Sequence, residues 1–116
     1  MRELEIKTAQ ITHTTLGLED HDILQFMIHV KWDCGGVGIG GFALDGYDKA
    51  TKIRPGWAEG FIMIRAILET LGVRSWEKLE GSYLRCKIGA WGDPVRIIGH
   101  IVEDKWIDLD NFRSKK

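Results

Sequence analysis

At 116 residues the chain has the length of one domain, 1–116, enough to bury roughly two thirds of its unfolded surface. Apolar residues make up 44% and charged residues 28%, an ordinary globular balance, and the formal net charge is −1. That balance supplies neither a basic surface for a nucleic-acid polymer nor a strongly acidic one imitating it, and no apolar run approaches the ~20 residues that span a bilayer.

Met1 to Lys7 has no apolar signal core, so Cys34 and Cys86 are expected to be reduced thiols in a cytosol. Two isolated cysteines lack the paired ligand spacing of a zinc site. Cys86 reads as core packing, and Cys34 sits at a turn. The first strand is predicted at Leu4 to Thr14. Leu4 and Ile6 share one face but Ala9 and Ile11 fall on the other, which predicts a bulge near Lys7-Thr8. Leu16 to Asp22 reads as a turn with polar side chains. Next comes the clearest strand. Leu24, Phe26, Ile28, Val30 and Trp32 alternate with Gln25, Met27, His29 and Lys31, and the first set faces the core.

Asp33-Cys34-Gly35-Gly36 turns the chain into a glycine strand that ends at the turn Asp45 to Lys49. Five of the 14 glycines fall within seven residues there. Gly36, Gly38 and Gly40 alternate with Val37, Ile39 and Gly41, a period that bares one face of the strand. Strand glycine marks a bulge or the close approach of a backbone or a ligand. Both readings stand: a bulged, twisted strand crossed by a helix, or a platform for a flat ligand.

The main helix is predicted from Pro55 to Leu71, with proline in its first turn and Gly72 as its left-handed stop. Trp57, Phe61, Ile64, Leu68 and Leu71 form one stripe, and Ile62, Met63, Ala66 and Ile67 widen it beyond one face. A helix this apolar needs cover on more than one side, from a curling sheet or from another copy of the chain. Ser75 is placed to cap a short helix, Trp76 to Leu79. Strands follow at Tyr83 to Ala90 and Val95 to Val102, the latter extended by Trp106 to Leu109, with a turn at Trp91 to Pro94 and a frayed tail from Arg113. The fold class is α+β: an antiparallel sheet of about five strands, one glycine-rich, packed against one long and one short helix.

Chemistry is sparse. Glu19-Asp20-His21-Asp22 with His13, His29 and His100 offers metal-ligand types, but no two histidines have a ligating spacing, and turn capping explains the cluster better; no metal or cofactor is expected. There is no nucleophile elbow, phosphate-loop lysine or dinucleotide fingerprint, because a strand and a turn follow the glycine run where a helix would open. No enzyme is expected. A nucleotide or other anionic small molecule fits better. Arg54 precedes a helix N-terminus with Gly56 and Gly60 beside it, Phe42, Trp57 and Trp91 can stack a base, and Arg54, Arg65 or Arg96 can fork onto phosphates. The candidate ligand-binding residues are Gly36, Gly38, Gly40, Phe42, Arg54, Gly56, Trp57, Arg65, Trp91 and Arg96. For each Trp the plain alternative is core packing, and for each Arg a solvated face.

Three segments, Leu16 to His21, Gly35 to Asp45 and Leu68 to Gly81, resemble small phage and prophage proteins over about the middle two thirds of the chain. In size and in pairing a sheet with two helices, the chain resembles the Thoeris anti-defence sponges. The resemblance implies a counter-defence protein in the cytoplasm of the infected bacterial host. It would sequester a cyclic ADP-ribose-type immune signal without degrading it, as a homo-oligomer; some members also bind cyclic trinucleotides. No ligand residue is matched position by position. Two other readings stay open: a phage inhibitor that binds a host defence complex of the CRISPR or restriction type, and a housekeeping or structural phage protein.

Overall fold

Strand β2 (Ile23–Trp32) carries the predicted alternation: Phe26, Ile28 and Val30 are buried, and Lys31 is exposed on the other face. The computed structural model describes residues 4–20, 22–89 and 94–112; His21, Trp91 and the tail from Arg113 lie outside them. Strand β1 (Glu5–Asp20) pairs along one side of β2, and β3 (Gly35–Ala43) along the other, after the turn at Asp33 and Cys34. Strand β4 (Tyr83–Ile88) pairs with the first half of β1, and β5 (Ile97–Gly99) and β6 (Trp106–Asp108) follow. The sheet order is β3-β2-β1-β4-β5-β6, with every neighbour antiparallel. Helix α1 (Ala58–Leu71) and a 3₁₀ turn at Trp76–Lys78 stand where the long and short helices were expected. The class is α+β, with six strands.

Several local expectations change. Strand β1 continues through Leu16 and Gly17, which pair with Phe26 and Gln25, so the expected polar turn shrinks to the residues around Asp22. Continued pairing satisfies backbone groups that a turn would leave to water. The bulge is not at Lys7-Thr8, where β1 and β4 stay in regular register; it is at Thr12, between the Ile11–Val30 and His13–His29 pairs. Leu4 and Ile6 need no bulge because they lie exposed on the outer face. The predicted last strand breaks into two. His100 Nδ1 accepts the N–H groups of Val102 (3.1 Å) and Glu103 (2.9 Å), folding the loop between β5 and β6.

Helix α1 begins at Ala58 rather than Pro55, whose carbonyl accepts Gly46 N–H at 3.2 Å. Its buried stripe is Gly60, Met63, Ile67 and Leu71; Phe61, expected inside, is 77% exposed, and Ile62 is also exposed. Gly72 ends the helix as predicted, at φ 75°, with its N–H on Leu68 O at 2.9 Å. Ser75 occupies the N-cap position of the 3₁₀ turn but makes no side-chain capping bond.

The core lies on one face of the sheet. Ala9, Ile11, Phe26, Ile28, Ile39, Leu84, Cys86, Ile98 and Ile107 meet Met63 and Ile67 of α1 there, and Trp76 closes edge-on against Phe26 at 5.6 Å. The sheet also rolls. Strand β3 stands at one end of the order, yet it shares a cleft with residues 94–96, which lead into β5. Phe61 and Ile62 remain outside the cover that the core gives α1. No helix among the described residues is long and apolar enough to cross a membrane.

Candidate functional site

The cleft is built on the far half of β3. An extra residue there, opposite Gln25 to Met27, bulges the strand. Gly40 at φ 128° and Gly41 at φ 78° take backbone angles that side chains with a Cβ rarely adopt. Past the bulge, Leu44 N–H donates to Leu24 O at 2.7 Å, and Trp57 N–H donates back to Leu44 O at 2.9 Å. The start of α1 is thereby stapled to the end of β3. Two glycines permit the staple: a Cβ on Gly60 would stand 2.8 Å from Leu44 O, and one on Gly46 would stand inside contact distance of the Trp57 ring. Asp45, 4% exposed, holds the loop between them. Its Oδ1 accepts Arg54 Nη2 at 2.9 Å and Nε at 3.1 Å, and its Oδ2 accepts Leu24 N–H at 3.2 Å.

This places Trp57 and Phe42 on the wall of a cleft of about 520 Å³, with Gly38, Gly40, Gly41 and Ala43 along one side and Pro94, Val95 and Arg96 along the other. The volume suits a small organic ligand, for which ~300–1,000 Å³ is usual. Arg96 is half exposed and forms an ion pair with Asp110, Nη1 to Oδ2 at 3.6 Å, longer than a hydrogen bond and through one of its three nitrogens. Its fork of donors therefore keeps capacity toward the cleft.

Five residues singled out from the sequence thus meet here: Gly38, Gly40, Phe42, Trp57 and Arg96. Gly36 lies further back on β3, where a Cβ would meet Val30 O at 2.7 Å. Arg54 is absorbed by Asp45, and Gly56 bridges to the same residue. Arg65 stands on the solvent side of α1 with Glu69 at 3.4 Å. Trp91 lies outside the described residues. Sequence reasoning missed Gly41, Ala43, Pro94 and Val95, although all but Pro94 adjoin a residue it named.

A second hollow, of about 870 Å³, is larger and lies along Ile6, Thr8, Gln10, Lys31, Cys34 and Tyr83. Lys7 and Lys31 give it cations, and Trp32 and Tyr83 give it rings, but it lacks an arginine and the bulged glycines of β3, so the smaller cleft is the better site for forked phosphate contact. The thiols behave as expected. Cys34 is exposed at its turn, and Cys86 is buried, where desolvation pushes its pKa up to about 11. Among the described residues, no three His, Cys, Asp or Glu side chains gather as metal ligands. Compared with protein-family models, with curated proteins and with solved structures, the chain matches none.

Proposed function

We propose that this protein binds a nucleotide-type small molecule in the β3 cleft and sequesters it unchanged. In this reading it is a phage counter-defence protein holding a cyclic ADP-ribose-type or cyclic oligonucleotide signal in the host cytoplasm. The observation that supports it is the convergence of side-chain-poor backbone at Gly38 and Gly40, two aromatic rings and one arginine on a single cleft. Each part has a role. The glycines let a flat group approach the strand, Phe42 or Trp57 stacks a base, and Arg96 engages phosphate through a charge-assisted bond. Exposed Phe61 and Ile62 support self-association through α1. The same two residues favour a second reading, in which α1 docks on a host defence protein.

A release assay tests the proposal. The protein is incubated with cyclic ADP-ribose isomers and cyclic di- and trinucleotides, washed and heat-denatured, and the released compound is identified. Wild type should return one of them intact. Arg96→Ala should bind it roughly 10–100-fold more weakly, the worth of one charged hydrogen bond. A converted nucleotide would make the protein an enzyme, and retention of none would end the nucleotide reading.

A further inference from the structure

The second hollow lies where the sheet loses a strand. Gln10 of β1 pairs with Lys31, but β2 ends at Trp32 and turns away through Asp33 and Cys34. On its other side β1 stays paired with β4 down to Glu5, in unbroken register. Among the described residues, the stretch from Glu5 to Thr8 therefore has a strand along one edge and none along the other.

The hydrogen bonds nearby fix which backbone groups face the missing strand. Ile11 N–H donates to Ser82 O at 2.8 Å, and Ile11 O accepts Gly81 N–H at 2.8 Å, so both groups of Ile11 point toward β4. Successive residues of an extended strand aim their N–H and C=O at opposite edges. Ala9, Lys7 and Glu5 thus share the β4 edge with Ile11, whereas Gln10, Thr8 and Ile6 face away from it. Gln10 meets Lys31 there. Ile6 and Thr8 are both exposed and open on the hollow, and among the described residues nothing bonds to their outward N–H and C=O groups.

We propose that this hollow takes an extended, acidic peptide segment of a partner protein as an added strand, on the line that β2 leaves. An antiparallel segment exchanges both backbone bonds with Thr8 and with Ile6, and such bonds supply affinity while alternate side chains supply selectivity. The hollow of about 870 Å³ has room for it. Side chains opposite Thr8 and Ile6 lie beside exposed Ile6 and Tyr83, which favours β-branched apolar residues. The residue between them stands opposite Lys7, which Glu5 holds at 3.1 Å, with Lys31 at the head of the slot. Against these two lysines the described lining sets Asp33, so a carboxylate is the matching side chain. A second copy of this chain matches poorly. Pairing Ile6 with Thr8 of another copy would set Lys7 directly opposite Lys7, a like-charge pair.

The test uses the full chain and the blocked peptide Thr-Val-Glu-Val-Thr, followed by amide NMR. Binding should saturate with a Kd of about 0.1–1 mM, shift the signals of Ile6, Thr8 and Tyr83, and slow hydrogen exchange at the Ile6 and Thr8 amides. Lys7→Glu, with circular dichroism unchanged, should weaken this peptide roughly five- to tenfold and favour Thr-Val-Lys-Val-Thr instead. Methylating the backbone nitrogens of both valines should abolish binding. Methylating that of the glutamate, which points away from β1, should change it by less than about twofold. Absence of binding at about 5 mM peptide, or equal loss from the two methylations, would overturn the assignment. So would protection of the Ile6 and Thr8 amides that rises with protein concentration alone, which would make a second copy the occupant.

Discussion

Replacing Arg54 or Asp45 decides whether Arg54 serves the fold or the ligand. Asp45 is 4% exposed, and the Arg54 side chain is 25% exposed. Losing one partner of a fully buried pair costs about 3–5 kcal/mol, because the other charge is stranded. In Arg54→Ala the stranded group is the buried carboxylate, left with Leu24 N–H at 3.2 Å, so about 3 kcal/mol is expected. In Asp45→Ala the stranded guanidinium reaches water, which lowers the expected loss to about 2 kcal/mol. At roughly 4 °C per kcal/mol for a domain of this size, the melting temperatures fall by about 12 °C and 8 °C. Urea denaturation of both single variants and the double variant closes a cycle, and a coupling energy of about 1.5–3 kcal/mol is expected from direct contact. Nucleotide binding is measured on the same variants well below their transitions. If Arg54→Ala folds within about 0.5 kcal/mol of wild type yet loses the nucleotide, Arg54 is a ligand group and the loop-anchor reasoning fails.

Gly60→Ala should destabilise by about 1–3 kcal/mol although alanine favours helices, because its Cβ would stand 2.8 Å from Leu44 O and push α1 off β3; a stabilised variant would show that the approach is loose. Cys86 should make stability fall at high pH. Its folded pKa, about 11, lies above the ordinary 9.0, so the contribution is whole below pH 9 and is lost as pH rises toward 11, on the order of 3 kcal/mol at most. Stability curves of wild type and Cys86→Ala between pH 8 and 11 should separate by that slope, and parallel curves would refute it.

What was legible in the sequence follows from the range of the forces involved. The alternation in β2 and the Gly72 stop were readable because burial parity and left-handed backbone are local properties. The Phe61 error was different in kind. Trp57, Phe61 and Ile64 do lie on one helical stripe, but Gly60 and Met63 lie on the neighbouring one. The choice between them depends on Gly60 fitting against Leu44 O, a contact with no trace in periodicity. The Arg54–Asp45 pair was hidden for a similar reason. An arginine before a helix reads equally well as an anion grip or as the partner of a carboxylate in a returning loop. The cleft was half legible, because Gly38, Gly40 and Phe42 share one strand, whereas Arg96 reaches them only when the sheet rolls.

The glycines of β3 do not all answer the same demand. Gly40 and Gly41 are required by positive φ at the bulge, and Gly36 by the backbone oxygen of Val30 at 2.7 Å. Those three positions would need glycine in a protein that bound nothing. Gly38 is different. Its φ is ordinary, and the closest atom to its missing Cβ is the end of the flexible Met27 side chain, with the His29 ring next. An alanine there would displace a methyl group and leave the backbone where it is. The fold therefore gives Gly38 a weaker reason than those three, as it does Gly35, whose Cβ would meet only the Trp32 ring at 3.3 Å, and of the two Gly38 is the one that lines the cleft and lies beside His29. A bare position that the backbone does not require is best explained by what approaches it.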